Sequence, residues 1–127
     1  SAHLMVARGS KVILSPASRL YLDMQYDTTT PIGLHWAGYS NLFKTYDWDP
    51  ATFNPKVPDS AILGLEGALW SETFGTLSDI EYMALPRLTA LAELAWTPQA
   101  VRNWQAFSRR IPAHEQRWTA LGVNYYR

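Results

Sequence analysis

The chain has 127 residues, 11 Lys and Arg against 11 Asp and Glu, and no cysteine. That length makes it one ordinary domain or a piece of something larger. Balanced charge gives no electrostatic reason to expect nucleic acid or an anionic membrane as partner, and the lack of cysteine excludes disulfides, thiolate metal sites and a cysteine nucleophile.

Residues 1–5 read as an expression-vector remnant and carry little weight. Met5 to Gly9 reads as the end of a helix, with Gly9 as its left-handed cap. Lys11–Ser15 (K-V-I-L-S) is a short apolar strand stopped by Pro16. From Ala17 to Asp59 runs a segment rich in Asp, Thr, Pro, Gly, Tyr and Trp, whose only helix-like patch is about Asn41 to Tyr46. A compact domain rarely keeps about 40 loop-rich residues without a functional reason. Ala61–Ser71 is a second strand, and its continuous apolar character fits burial on both faces of a parallel sheet. The C-terminal half is helical. S-D-I-E, Ser78 to Glu81, has the form of a capping box, and apolar residues continue at helical spacing to Trp96. Pro86 kinks or splits that run. Thr97-Pro98 starts another helix with Val101, Trp104 and Phe107 as its stripe. Pro112 opens a third, which carries Trp118 and Leu121 and ends at Gly122.

The pattern is α/β, yet two parallel strands leave sheet edges unpaired, and isolated strand pairs are marginal in water. Either the chain is the last part of a larger α/β structure, or it pairs with a second copy of itself. No apolar run approaches the roughly 18 residues of a membrane span. His3, His35 and His114 lie far apart and in no metal-ligand spacing, so neither metal nor cofactor is expected.

The chemistry gathers at the two strand ends, where parallel α/β sheets build their sites. Tyr21 and Asp23 sit two residues apart beyond the first strand. Trp70 and Glu72 repeat the arrangement at the end of the second, on one face with Gly64, Glu66 and Ala68 and opposite Leu63, Leu65 and Leu69. An aromatic ring with a carboxylate two residues on suits a sugar: C–H faces pack on rings, and carboxylates accept hydroxyl hydrogen bonds. Trp36, in G-L-H-W-A-G, adds a further wall. Each feature also has a plain alternative. Trp70 can be core, Glu72 a solvated loop residue, Asp23 a turn-former, Tyr21 a half-buried phenol and Trp36 a loop anchor. Asp47–Pro50 (D-W-D-P) reads as a turn with an anchoring Trp, His35 as a loop hydrogen-bond donor, and Glu66 as a carboxylate whose partner lies outside the chain.

The motifs V-I-L-S-P (12–16), Y-L-D-M-Q-Y-D (21–27), P-I-G-L-H-W-A-G (31–38), Y-D-W-D-P (46–50), I-L-G-L-E-G-A-L-W-S-E (62–72) and D-I-E-Y-M-A-L-P-R-L-T-A-L-A-E-L-A-W (79–96) are similar, in order and spacing, to the C-terminal part of the catalytic domain of glycoside hydrolase family 20, the β-N-acetylhexosaminidases, especially bacterial members. The resemblance implies that residues 1–127 are the C-terminal segment of a (β/α)8 barrel, strands seven and eight with the following helices. A whole barrel takes about 250 residues. It also implies roles: Tyr21 bonds the substrate's acetamide oxygen, Asp23 and Trp36 hold outer hydroxyls, Trp70 walls the acetamido pocket, and Glu72 binds the O4 side. The implied reaction is substrate-assisted, retaining hydrolysis of terminal N-acetylglucosamine or N-acetylgalactosamine, with a glycan as partner.

One departure stands out. The family's catalytic Asp-Glu dipeptide, on its fourth strand, occurs nowhere in these 127 residues. The chain alone is therefore expected to be inactive, with no catalytic residue of its own beyond the positioning phenol of Tyr21. Its remaining partner is the missing N-terminal part of the barrel or a second copy of the chain. A non-catalytic sugar-binding module and a self-associating half-barrel are the alternatives.

Overall fold

A computed structural model describes residues 2–127. Helix α1 (Ala2–Ala7) leads through Gly9, at φ +87°, into strand β1 (Val12–Leu14). That backbone is cheap only for glycine, so the cap read from the sequence holds. Strand β2 (Ile62–Leu65) pairs with β1 in parallel, Val12 opposite Ile62 and Leu14 opposite Leu65, with an irregularity after Val12.

The second strand is shorter than the expected span to Ser71, because β1, its ladder partner among the described residues, gives way to a helical turn at Ala17. After β1 the chain makes one helical turn, α2 (Ala17–Leu20), and then rejoins the line of β2. Tyr21 bridges Ala68, and the Leu22 amide donates to the Ala68 carbonyl at 2.7 Å. A Cβ at Gly67 would lie 2.6 Å from the Leu91 Cδ1, so a larger residue at this return requires the Leu91 side chain to move. Burial on both faces of the sheet is not observed either: Ile13 is 58% and Leu63 67% exposed. A two-stranded sheet has little of its own chain to cover it.

Helix α3 (Leu42–Tyr46) lies where the sequence places it, capped by the Asn41 side chain on the Lys44 amide. Pro86 splits the long apolar run into α4 (Leu77–Ala84) and α5 (Arg87–Trp96). The capping box of α4, however, is Thr76 with Asp79, not Ser78 with Glu81. Those two bind the C-terminal tail instead: Asn124 donates its side-chain amide to Ser78 Oγ and its backbone amide to Glu81 Oε2, both at 2.9 Å. Thr97-Pro98 does not open a full helix. It leads into a 3₁₀ turn at Gln99–Val101, and Asn103 caps α6 (Trp104–Ser108). Thr97 instead ends α5, its backbone amide donating to the Glu93 carbonyl, and the Asn103 side-chain oxygen accepts the Ala106 amide at 2.9 Å. Helix α7 (Ile111–Ala120) carries Pro112 in its first turn and ends at Gly122.

Tyr46, Ala90, Phe107 and Ile111 form an apolar cluster joining α3, α5, α6 and α7. Val101 and Leu121, expected on apolar stripes, are exposed instead. D-W-D-P is a turn as expected: Trp48 Nε1 donates to the Thr45 carbonyl, and Asp49 pairs with Arg102 at 3.3 Å.

Candidate functional site

Residues 21–25 form the pivot of the site. On one side Leu22 is tied to Ala68; on the other the Leu34 amide donates to the Asp23 carbonyl and the Gln25 amide to the Leu34 carbonyl. This double tie brings the strand-end residues and the Trp36 loop to one place. Gly33, at φ +91°, makes the close approach possible, since a Cβ there would sit 2.5 Å from the Met83 Cε and 2.6 Å from the Asp23 carbonyl oxygen. Thr73, just after Glu72, accepts the Gly33 amide on its hydroxyl at 2.9 Å. That bond clips the Trp36 loop to the segment carrying Trp70 and Glu72.

Three rings meet at the pivot. Tyr21 touches Trp36 edge-on, with centroids 5.9 Å apart at 79°, and Trp70 at 6.0 Å and 60°. Tyr21 is half-buried between them, while Trp36 and Trp70 stay 66% and 52% exposed. Core tryptophans would not remain so open, so the rings have area to offer to something that is not this chain.

Asp23 behaves differently. It is 1% exposed, and neither carboxylate oxygen has a hydrogen-bond partner among the described residues. Asp23 does sit in a turn, closed by the Met24 amide on the Tyr21 carbonyl at 3.2 Å, but its carboxylate bonds none of the turn amides and is turned away from solvent. Burial raises its pKa above the ordinary 3.8 and the neighbouring Glu72 charge adds to the rise, while its own backbone amide, the Trp70 amide and the Arg87 guanidinium oppose it from positions that fall short of a hydrogen bond. A buried acceptor left empty costs free energy and is ready for a donor from outside. Glu72 is exposed on the same side, and its charge is felt at Asp23. All five expected residues therefore lie around one pivot, three in ring contact and two as neighbouring carboxylates. His35 stacks on Tyr39, with centroids 5.7 Å apart, at the edge of the same loop.

Arg87 was not singled out in the sequence. It lies fully buried under the pivot, its guanidinium carbon 3.8 Å from the Tyr26 ring centre. The signal was present: Arg87 falls four residues after Met83 and four before Leu91, on the apolar stripe of a helix, where a charge is out of place.

The signature "Glycosyl hydrolase family 20, catalytic domain" matches residues 1–99. The chain belongs to glycosyl hydrolase family 20. A β-N-acetylhexosaminidase of Cellulomonas fimi is 46% identical over 118 residues, which cover 93% of this chain and 24% of that protein. The family 20 β-N-acetylhexosaminidase of Streptomyces coelicolor A3(2) superposes with a TM-score of 0.95 at 42% identity, over 98% of this chain and 25% of its own. A mutant Streptomyces plicatus β-hexosaminidase in complex with product GlcNAc matches equally well, at 43% identity and the same shares. The chain thus spans about a quarter of the length of the family 20 proteins it matches. Its parallel β1–β2 pair and flanking helices are the α/β content of a TIM-barrel family.

Proposed function

We propose that this segment is the seventh and eighth strands of a family 20 barrel with the following helices, and that it supplies one side of an N-acetylhexosamine pocket. The observation that carries this is the three-ring surface of Tyr21, Trp36 and Trp70, with Tyr21 two residues along the chain from the buried Asp23 carboxylate, which bonds no other described residue. The rings pack against the apolar faces of a sugar. Asp23 accepts from outer hydroxyls alongside Trp36, and Glu72 takes the O4 side. The exposed strand residues Ile13 and Leu63 are where the rest of the barrel packs.

The reaction supported by this arrangement is hydrolysis of a terminal, non-reducing N-acetylhexosamine. The substrate's acetamide oxygen attacks the anomeric carbon as the glycosidic bond breaks, and the leaving oxygen takes a proton from a general acid. Water then opens the oxazolinium intermediate with retention. Tyr21 donates its phenol hydrogen to the acetamide oxygen and keeps it in attacking position, which is proximity catalysis. The proton donor lies outside this segment, because no Asp-Glu pair exists in its 127 residues.

The test is steady-state hydrolysis of a chromogenic N-acetylglucosaminide by the intact protein that carries this segment. Tyr21→Phe is expected to lower kcat/KM by about 10- to 100-fold, the range for losing one charge-directed hydrogen bond. An unchanged kcat/KM would remove Tyr21 from the site.

A further inference from the structure

The Arg87 guanidinium is saturated without touching a carboxylate. Nη2 donates to the Leu22 and Met83 carbonyls at 2.6 Å each, and Nη1 to Met24 at 2.6 Å and Ser40 at 2.9 Å. Nε completes the set on the Met83 carbonyl at 3.2 Å. All five N–H donors of an arginine are thereby used on backbone oxygens. Two of those oxygens, Leu22 and Met24, belong to the residues on either side of Asp23. A third, Ser40, lies at the far end of the Trp36 loop, where the Ser40 amide donates to the Gln25 carbonyl.

This is an expensive way to hold a backbone. A fully buried cation is costly to desolvate unless an anion compensates it. The nearest candidate is the Asp23 carboxylate, which is equally buried and makes no bond to Arg87. A direct ion pair would occupy the carboxylate's lone pairs and leave none for a ligand. Here the charges are close enough to act on each other, while geometry keeps the carboxylate bare.

We propose that Arg87 is a positioning residue for Asp23: its fork clamps the backbone on both sides of Asp23, and its charge balances the carboxylate without consuming it. The proposal rests on the reading of Asp23 as an acceptor of sugar hydroxyls. It makes Arg87 act on the ligand only through Asp23. A purely architectural Arg87 would act on every property of the site equally.

A double-mutant cycle in the intact protein separates the two. The variants are Arg87→Lys, Arg87→Met, Asp23→Asn and each Arg87 change combined with Asp23→Asn, all checked for folding by circular dichroism at the assay temperature. The readout is kcat/KM on a chromogenic N-acetylglucosaminide. Asp23→Asn lowers it. Arg87→Lys and Arg87→Met lower it by about tenfold when Asp23 is present and by no more than about twofold in the Asp23→Asn background, a coupling typical of interacting neighbours. An equal loss on both backgrounds overturns the positioning role and leaves the reading of Asp23 intact. No effect of Asp23→Asn alone overturns that reading and the proposal with it. If neither Arg87 variant folds, Arg87 serves the fold alone and the proposal falls.

Discussion

Replacing Asp23 with Asn should strengthen the ligand-free fold while weakening the site. The carboxylate is 1% exposed with both oxygens unpaired. An unsatisfied buried polar group costs about 1–3 kcal/mol. Asn still leaves a polar group in that place and withdraws the charge that balances Arg87, so only the part of the burial penalty on Asp23 that outweighs the Arg87 attraction is recovered, and the lower end applies. The net gain expected is about 1 kcal/mol, or roughly 3–5 °C in Tm. The sign with pH follows from the raised pKa of Asp23. The folded state holds the proton more tightly than the unfolded one, so the ionised form is penalised above the raised folded value. That penalty lifts as pH falls through this value to the unfolded value. Differential scanning calorimetry should therefore show Asp23→Asn ahead of the parent at pH 7 and level with it near about pH 3. A variant that is less stable at pH 7, or whose advantage is unchanged in acid, would refute the reasoning, because the carboxylate would then have a partner in the free protein.

Two further substitutions separate the site from the scaffold. Gly33→Ala puts a methyl group against Met83 and the Asp23 carbonyl at φ +91°. It should cost more than about 1 kcal/mol and raise KM by displacing the Trp36 loop, as thermal scans and steady-state kinetics on the intact protein would show. Thr76→Ala removes the capping hydroxyl of α4, which accepts the Asp79 amide at 3.2 Å. Urea denaturation should register a loss of about 1 kcal/mol, with kcat/KM unchanged.

The strand ends are legible as a ring with a carboxylate two residues on, but the extended backbone expected to align each pair is not there: Asp23 lies in the turn closed by the Met24 amide on Tyr21, and Glu72 in the turn closed by the Phe74 amide on Ser71. Helix ends are legible where one residue has no competitor, as at Gly9, Asn41, Pro86 and Gly122. They mislead where a distant segment enters. Ser78 and Glu81 carry the local form of a capping box, but Asn124 claims both, and Thr76 with Asp79 caps the helix two residues earlier. Arg87 escapes notice for a related reason. Its partners, Leu22, Met24 and Ser40, are 65, 63 and 47 residues away, and no local pattern announces them. The Gly33–Thr73 clip, 40 residues apart, is of the same kind. The strand ends lie in the sequence; the ties that turn them into one site form only when the chain folds back on itself.

The most direct test of the half-pocket is to assay the purified 127-residue chain by itself on a chromogenic N-acetylglucosaminide, beside the intact protein. The expected result is turnover by the intact protein and none by the chain, because the chain holds the proposed pocket residues but no Asp-Glu pair to act on the glycosidic oxygen. Turnover by the chain above a contamination control, abolished by Tyr21→Phe, would contradict it.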